Sequence, residues 1–383
     1  MIDGHTVVRR VEGGSVEIPL CDLSAQYATI QTEIDAAIAE VVRSTRFIGG
    51  PVLDRFEKEF AQACGAAYSV GVGSGTAALH LAMIAAGVGP GDEVVTVAHT
   101  FIATAEPVVS LGARVRFVDV DERTYNMDPS QLEGALTERT KAIIPVHIYG
   151  QPADLDPILA MAQARGITVI EDAAQAHLAR YRGKTVGSIA PLATFSFYPG
   201  KNLGAYGDAG AITARDSSVA ERMRALANHG RAEKYLHREE GFNYRLDSIQ
   251  AAILQVKLRH LADWTEGRRR IARMYGERLA ALDDVQTPFV PEWAEPVWHL
   301  YVVRVPERDR VLASLRADGI DAGIHYPVPL HLQPAYEYLG GKKGDLPVTE
   351  RIADEILSLP IFPEMTASQV DRVVSSLGRA LRG

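Results

Sequence analysis

The sequence predicts an α/β protein with a large, mostly parallel sheet and a smaller C-terminal α+β domain. Three observations predict it. From about residue 65 to 215, short runs rich in β-branched residues alternate with helical patterns. Glycine-rich links such as GVGPGDE and LGAR stand where the two kinds of run meet. After about residue 247 the alternation stops and a long helical pattern takes over. Alternating β and α elements bury both faces of a parallel sheet under helices.

Each element has its own signal. The first residues, MIDGHTVVRRVEGG, lack the apolar core of a signal peptide and read as a flexible tail over 1–16. GTAALHLAMIAAG (75–87) is small and apolar, as a buried helix requires. EVVTVA (93–98), RVRFVDV (114–120), KAIIPVHI (141–148), TVIEDA (168–173) and ATFSFY (193–198) read as strands. LDPILAMAQARG (155–166) is a helix that stops on glycine. Right-handed crossovers then bring the strand C-termini to one edge, where ligands bind. Residues 246–282 form one long helical pattern, expected to kink near Gly267. A strand (299–306), a helix (308–319), the loop AGIHYPVPLHLQPAY (322–336) and a last helix (368–382) follow. The expected organisation is a tail over 1–16, a large domain over 17–246, and a connecting helix with a small domain over 247–383.

Composition narrows the function. With 383 residues, 47% of them hydrophobic and 23% charged, the chain has material for two or three packed domains. No apolar run is long enough to span a bilayer. A net charge of −8 without a long basic run disfavours non-specific nucleic-acid binding. Cys21 and Cys64 are the only cysteines and form no CxxC pair, which argues against a disulfide framework or a cysteine metal site. The expectation is a cytoplasmic protein with no metal site and neither nucleic acid nor membrane as partner.

Three stretches carry chemistry. Gly71-Val-Gly-Ser-Gly-Thr76 precedes a helix, and free amides at a helix N-terminus bind anions. Alone, it reads more readily as a strand-to-helix turn capped by Ser74. It is neither a full GxGxxG fingerprint nor a Walker A loop. Asp172 ends the strand TVIEDA at the sheet's functional edge, where it can pair with a cationic ring nitrogen or cap a helix. Lys201 follows the strand ATFSFY and the break Pro199-Gly200. A lone lysine is far more often a solvated surface charge. The company of this one changes its meaning. A phosphate turn, an acid at a strand end and a lysine after a later strand are the three parts that pyridoxal 5'-phosphate requires.

RFIGGPVLDRFEKEFA (46–61), GSGTAALHLA (73–82), HTFIATA (99–105), VHIYGQPADLDPI (146–158), EDAAQAH (171–177), SFYPGKNLGAYGDAG (196–210), GFNYRLDSIQAAIL (241–254) and HYPVPLHLQPAY (325–336) resemble, in order, the blocks of the DegT/DnrJ/StrS family of sugar aminotransferases. The resemblance covers about residue 17 to the end and implies the aspartate-aminotransferase-like fold, type I among pyridoxal-phosphate enzymes. It implies that Lys201 carries the cofactor and moves the proton, and that Asp172 pairs with the pyridine nitrogen. It places Phe101 on one ring face and Gln175 on the other. It assigns the phosphate to the amides of Gly75 and Thr76 and to the Ser196 hydroxyl, with Asn243 reaching in from the partner of a homodimer.

For the substrate, the resemblance implies a ping-pong transfer from L-glutamate to a nucleotide-linked 3-keto-6-deoxyhexose, with dTDP as carrier. The product is a 3-amino sugar for an antibiotic or a surface glycan. YPGKNLGAYGDAG is similar to the C-3 enzymes, where C-4 enzymes resemble HPVKNITTGEGG. His325, Tyr326 and His331 are implied near the sugar, and Lys234 and Tyr235 near the diphosphate. Tyr244, Ser248-Ile249 and Gly49 depart from the common pattern, so 4-keto-sugar and scyllo-inosose acceptors stay as alternatives. From another class, a non-catalytic cofactor-binding regulatory subunit also stays. Lys201 argues against the related dehydratases, which carry histidine there, and Asn202 after it argues against a P-loop kinase.

Overall fold

The computed structural model describes residues 17–382, together with 10–11 and 14–15. The tail expected over 1–16 lies almost wholly outside the described residues. Strands buried on both faces are largely apolar, and the central sheet has seven strands, its interior ones buried and its edge strand RVRFV carrying arginines. They are β1 (Tyr68–Val72), β2 (Glu93–Val97), β3 (Arg114–Val118), β4 (Thr140–Ile143), β5 (Thr168–Asp172), β6 (Leu192–Ser196) and β7 (Gly210–Ala214). Their order is β1-β7-β6-β5-β4-β2-β3. Only β7 runs antiparallel to its neighbours β6 and β1, while the other pairings are parallel. β2, β3, β5 and β6 match the runs expected from sequence, whereas the run expected over 141–148 is a strand only at Thr140–Ile143. β1 and β7, YSVGV and GAITA, carry glycine or alanine where strands prefer bulk, and the sequence reading passed over them.

The helices follow the same logic. α1 (Leu23–Ser44) starts on Asp22, whose carboxylate accepts from the amides of Ser24 and Ala25. α2 (Pro51–Cys64) begins on proline and ends on Gly65, which takes a left-handed conformation at φ 69°. α3 (Gly75–Ala85) buries most of its surface, which explains its run of small and apolar residues. α4 (Leu155–Arg165) stops at Gly166 as expected. After α5 (Ser217–Ala227), a short hairpin of β8 (Arg231–Glu233) and β9 (Leu236–His237) projects from the large domain.

α6 (Ser248–Leu279) is one unbroken helix of 32 residues. The kink expected at Gly267 is absent, and that glycine serves close packing instead. A Cβ there would stand 3.0 Å from Cα of Pro363. The first half of α6 places Ala251, Leu254 and Leu261 in an aromatic core with Phe56, Phe60, Phe195 and Phe197. Its second half places Ile271, Tyr275 and Leu279 in the small-domain core. That domain pairs β10 (Tyr301–Arg304) with β11 (Ile356–Leu359) and packs α7 (Arg308–Ala317) and α8 (Ala367–Arg382) around them. Ile18 pairs with Ile320 and lies in this same core, so residues near 18 join the small domain and not the large one. Among the described residues no helix is long and apolar enough to cross a membrane.

Candidate active site

The parallel direction of β1, β2, β5 and β6 brings their C-terminal ends to one edge. There a cavity of about 660 Å³ opens between the sheet and the small domain. β1 leads into Gly73-Ser74 and α3, β2 into Phe101, β5 ends on Asp172, and β6 ends on Ser196 before Lys201. The cavity is lined by all of Gly75, Thr76, Phe101, Asp172, Gln175, Ser196 and Lys201.

The turn before α3 serves both readings drawn from the sequence. The Ser74 side chain caps the helix by accepting the Ala77 N–H at 3.1 Å. That leaves the amides of Gly75 and Thr76 free at the N-terminus of an 11-residue helix. Gly75 is obligatory at this point. A Cβ there would meet Cβ of Ser196 at 2.7 Å and its Oγ at 3.2 Å. Gly210 is similarly confined, since a Cβ would stand 2.4 Å from the Ser74 carbonyl oxygen. Two glycines thus let β7, β6 and the α3 N-terminus approach, and they leave amides and a hydroxyl facing the same space.

Asp172 is buried and held in place. Its Oδ2 accepts from Thr104 Oγ1 at 2.8 Å, and its Oδ1 accepts from the Ala174 amide at 3.2 Å. Burial pushes its pKa up, while these bonds and the nearby Lys201 charge oppose the shift. Lys201 is half-buried at the cavity wall, and desolvation brings its pKa down to about 8, against the opposing pull of Asp172. A lysine poised near 8 has a usable fraction of neutral amine, as a nucleophile needs.

Gln175 is oriented by backbone. Its Oε1 accepts the Tyr149 N–H at 2.6 Å, and its Nε2 donates to the Tyr326 hydroxyl at 3.3 Å. Phe101, 54% exposed, sets its ring 5.6 Å from that of Tyr326. Tyr149 also fixes the loop that carries Tyr326. Its hydroxyl donates to the His325 carbonyl, so the 2.6 Å contact with His99 must be an N–H donated from His99 Nε2. His325 and Tyr326 therefore line the cavity beside Lys201.

Four residues singled out in the sequence lie elsewhere. His331 is not at the cavity. Its buried ring bonds Glu350 Oε1 at 3.0 Å, and this internal pair replaces the sugar contact expected of it. Lys234 and Tyr235 sit at the tip of the β8–β9 hairpin, where Tyr235 is 85% exposed and Lys234 Nζ stands 5.3 Å from its ring. Asn243 pairs with Asn228 away from the cavity of its own chain. Sequence reasoning passed over Thr104, Tyr149, Arg268 and His299. The first two stand inside the quoted blocks HTFIATA and VHIYG. Arg268 lies within the triplet RRR on α6, and His299 opens the run HLYVVR.

The donor set fits a phosphorylated pyridine aldehyde. It offers free amides and a hydroxyl for a phosphate, a buried carboxylate for a ring nitrogen, and a near-neutral amine for the aldehyde. Residues 28–378 match the DegT/DnrJ/EryC1/StrS aminotransferase family. The chain is 48% identical to a "Pleiotropic regulatory protein" of Geobacillus stearothermophilus, over 96% of this chain and 99% of that protein. It is 46% identical to the dTDP-3-amino-3,4,6-trideoxy-alpha-D-glucose transaminase of Streptomyces venezuelae, over 94% and 95% of the two chains. The solved structure of DesV from S. venezuelae superposes with a TM-score of 0.93 at 45% identity, covering 94% of this chain and 98% of that one.

Proposed function

The chain belongs to the DegT/DnrJ/EryC1/StrS aminotransferase family, and from that membership we propose one reaction: transfer of an amino group from L-glutamate to C-3 of a dTDP-linked 3-keto-6-deoxyhexose. The protein is a sugar aminotransferase, and its cofactor is pyridoxal 5'-phosphate. The observation that carries the reading is the meeting of Lys201, Asp172 and the Gly75-Thr76 turn in one cavity. C-3 is favoured by the S. venezuelae relative, whose name places the amine at that carbon.

The amides of Gly75 and Thr76 and the Ser196 hydroxyl would hold the phosphate. Asp172 would hold the ring nitrogen, with Phe101 and Gln175 over the ring. When bound, the cofactor supplies an electron-poor ring that accepts the electron pair released from the amino donor. The chain supplies the proton traffic. Lys201 Nζ, neutral at the start, takes the proton from the donor's carbon and returns it on the other side of the exchange. Asp172, ionised beside the ring nitrogen, keeps a proton there. Its burial and its bond from Thr104 hold that charge in a fixed place. His325 and Tyr326 face the same space and are the candidates to orient the sugar.

The second half of the site is assigned to a partner subunit. Asn243, Lys234 and Tyr235 lie outside the cavity of their own chain, and this placement supports a homodimer in which each hairpin serves the neighbouring site. A mixture of Lys201→Ala and Asn243→Ala proteins tests it. Shared sites regain roughly a quarter of full activity on mixing, because hybrid dimers carry one intact site. Unshared sites regain none. A cytoplasmic location is part of the same proposal.

The acceptor is tested by giving the loaded protein glutamate with a 3-keto sugar nucleotide, a 4-keto sugar nucleotide or scyllo-inosose. Preference for either of the last two rejects C-3. The name of the Geobacillus relative favours a second reading, a cofactor-loaded regulator. Folded, loaded protein that accepts no amine from glutamate would select it.

A further inference from the structure

We propose that the Ser358 hydroxyl fixes the proton of the neutral His325 ring on Nε2, so that the ring offers the cavity an N–H for an oxygen of the bound substrate. The inference starts in β11. Leu357 and Leu359 point into the small-domain core, so Ser358 between them faces the other way. Its amide donates to the Gly323 carbonyl at 2.8 Å, and its carbonyl accepts the Gly323 N–H at 3.1 Å. Its side chain is fully buried, and its Oγ stands 2.8 Å from His325 Nδ1. Two forms of that contact exist. Either the O–H donates to a bare Nδ1, or an Nδ1–H donates to Oγ. Oγ has no other polar partner among the described residues. In the second form the hydroxyl proton is buried with no acceptor, and that is the costly arrangement. The O–H therefore donates, and Nδ1 accepts.

The ring carries one proton and not two. Burial, reinforced by the Lys201 charge, brings its pKa down to about 4. With Nδ1 accepting, that proton sits on Nε2. Nε2 makes no hydrogen bond among the described residues. Nor is it sealed away unpaired, as both ring nitrogens of His177 are. It is open, and the space beside the ring is the cavity.

The ring is held in place. The Tyr149 hydroxyl donates to the His325 carbonyl. A Cβ on Gly323 would lie 3.1 Å from His325 Cε1, so that glycine admits the ring. Beyond β11, Arg268 Nη1 donates to the carbonyls of Ile361 at 2.9 Å, Trp298 at 3.2 Å and His299 at 3.3 Å, which ties the strand's exit to α6. Ser358 acts through His325 and is a positioning residue. A ring fixed in this form gives an N–H at Nε2 and takes none there. It fits a carboxylate, carbonyl or hydroxyl oxygen and disfavours an ammonium. Glutamate and a keto sugar both bring such oxygens. That last step rests on the aminotransferase reading, whereas the tautomer does not.

The test begins with histidine ¹⁵N spectra of cofactor-free protein, in which the His325 signals are identified by their loss in His325→Gln. Nδ1 should be unprotonated and Nε2 protonated. Ser358→Ala should let the proton onto Nδ1. Ser358→Thr, which keeps a hydroxyl, should restore the wild-type pattern. The donor is then tested in loaded protein, with the two half-reactions measured separately. His325→Leu removes the N–H. His325→Gln also loses the Ser358 contact, yet it keeps an N–H near the place of Nε2. Losing one neutral hydrogen bond weakens binding roughly 2- to 12-fold. His325→Leu should show that loss in the apparent constant for glutamate or for the dTDP-linked 3-keto sugar, and His325→Gln should recover part of it. A loss with glutamate assigns the N–H to a carboxylate, and a loss with the keto sugar assigns it to a sugar oxygen. An Nδ1–H tautomer in the wild type, a Ser358→Ala spectrum like that of the wild type, or equal constants in His325→Leu and His325→Gln would overturn the inference. The expected spectra in a protein that binds no pyridoxal phosphate would overturn the aminotransferase reading and leave the tautomer standing.

Discussion

Replacing Gly75 by alanine puts one methyl group at the point where the sheet, α3 and the phosphate turn converge. The new Cβ would lie 2.7 Å from Cβ of Ser196 and 3.2 Å from its Cα and Oγ. Carbon atoms settle near 3.5–4.0 Å, so the overlap is roughly 1 Å. Neither side yields freely. Ser196 pairs with Gly210 in β7, and Gly75 is the first residue of α3. The start of α3 must therefore back away, at a cost of about 1–3 kcal/mol in stability. Its free amides move with it. Losing one hydrogen bond to a charged phosphate costs about 1.5–3 kcal/mol, or roughly 10- to 150-fold in affinity. The assay is calorimetric titration with pyridoxamine 5'-phosphate, which lacks the aldehyde and so reports the non-covalent cradle alone. Gly134→Ala is the control. It lies within a helix, and a Cβ there meets nothing within 4 Å, so it should stabilise the protein by up to about 1 kcal/mol and leave affinity unchanged. Affinity within threefold of wild type for Gly75→Ala would refute the reasoning, as would equal damage in the control.

Other residues give further expectations. The rate at which Lys201 captures pyridoxal 5'-phosphate should rise with pH and level off above about 8, since a depressed lysine pKa means the amine is neutral only beyond it; Lys201→Ala should abolish the absorbance change on capture and keep weak binding. Thr104→Val removes the 2.8 Å bond to Asp172 without changing shape, so the already raised pKa of Asp172 should rise further, visible in carboxyl ¹³C titration of cofactor-free protein. Because that pKa is raised on folding, the stability lost in Thr104→Val should appear as pH rises through the folded pKa and vanish below 3.8, the ordinary aspartate value. Arg268→Met leaves three backbone carbonyls unpaired and should destabilise the protein by about 3–5 kcal/mol in denaturant unfolding.

The parts of the site legible in the sequence were those defined by where a strand ends. Asp172 at the end of TVIED and Lys201 after the break at Pro199-Gly200 need only local pattern to be placed at the functional edge. The parts that were not legible depend on contacts far apart in the chain. Thr104 reaches Asp172 across 68 positions, and Tyr149 reaches His325 across 176. No periodicity records such pairs. Gly267 shows a second limit. A glycine inside a helical pattern reads as a kink, but here it admits Pro363 from a distant loop. His331 shows a third. It shares a block with His325, yet a 3-10 turn over Leu330–Leu332 sends it towards Glu350. β1 and β7 were passed over because their glycines answer close approaches and not strand preference: a Cβ at Gly71 would meet Leu53 and Leu246 at 2.9 Å, and one at Gly210 the Ser74 carbonyl oxygen at 2.4 Å.

The unbroken α6 has a mechanical consequence. At 1.5 Å per residue its 32 residues form a beam of about 48 Å, clamped in one core at each half. Tilting the small domain by about 10° around the midpoint would carry the far end through about 4 Å and shear the aromatic packing at the near end. The two domains therefore behave as a single rigid frame. Arg268 is fixed to that beam, so His299 and the wall it belongs to keep constant distance from Lys201. Admission of a bulky sugar nucleotide then falls to the parts that are not bolted to the beam, the projecting hairpin and the half-exposed ring of Phe101.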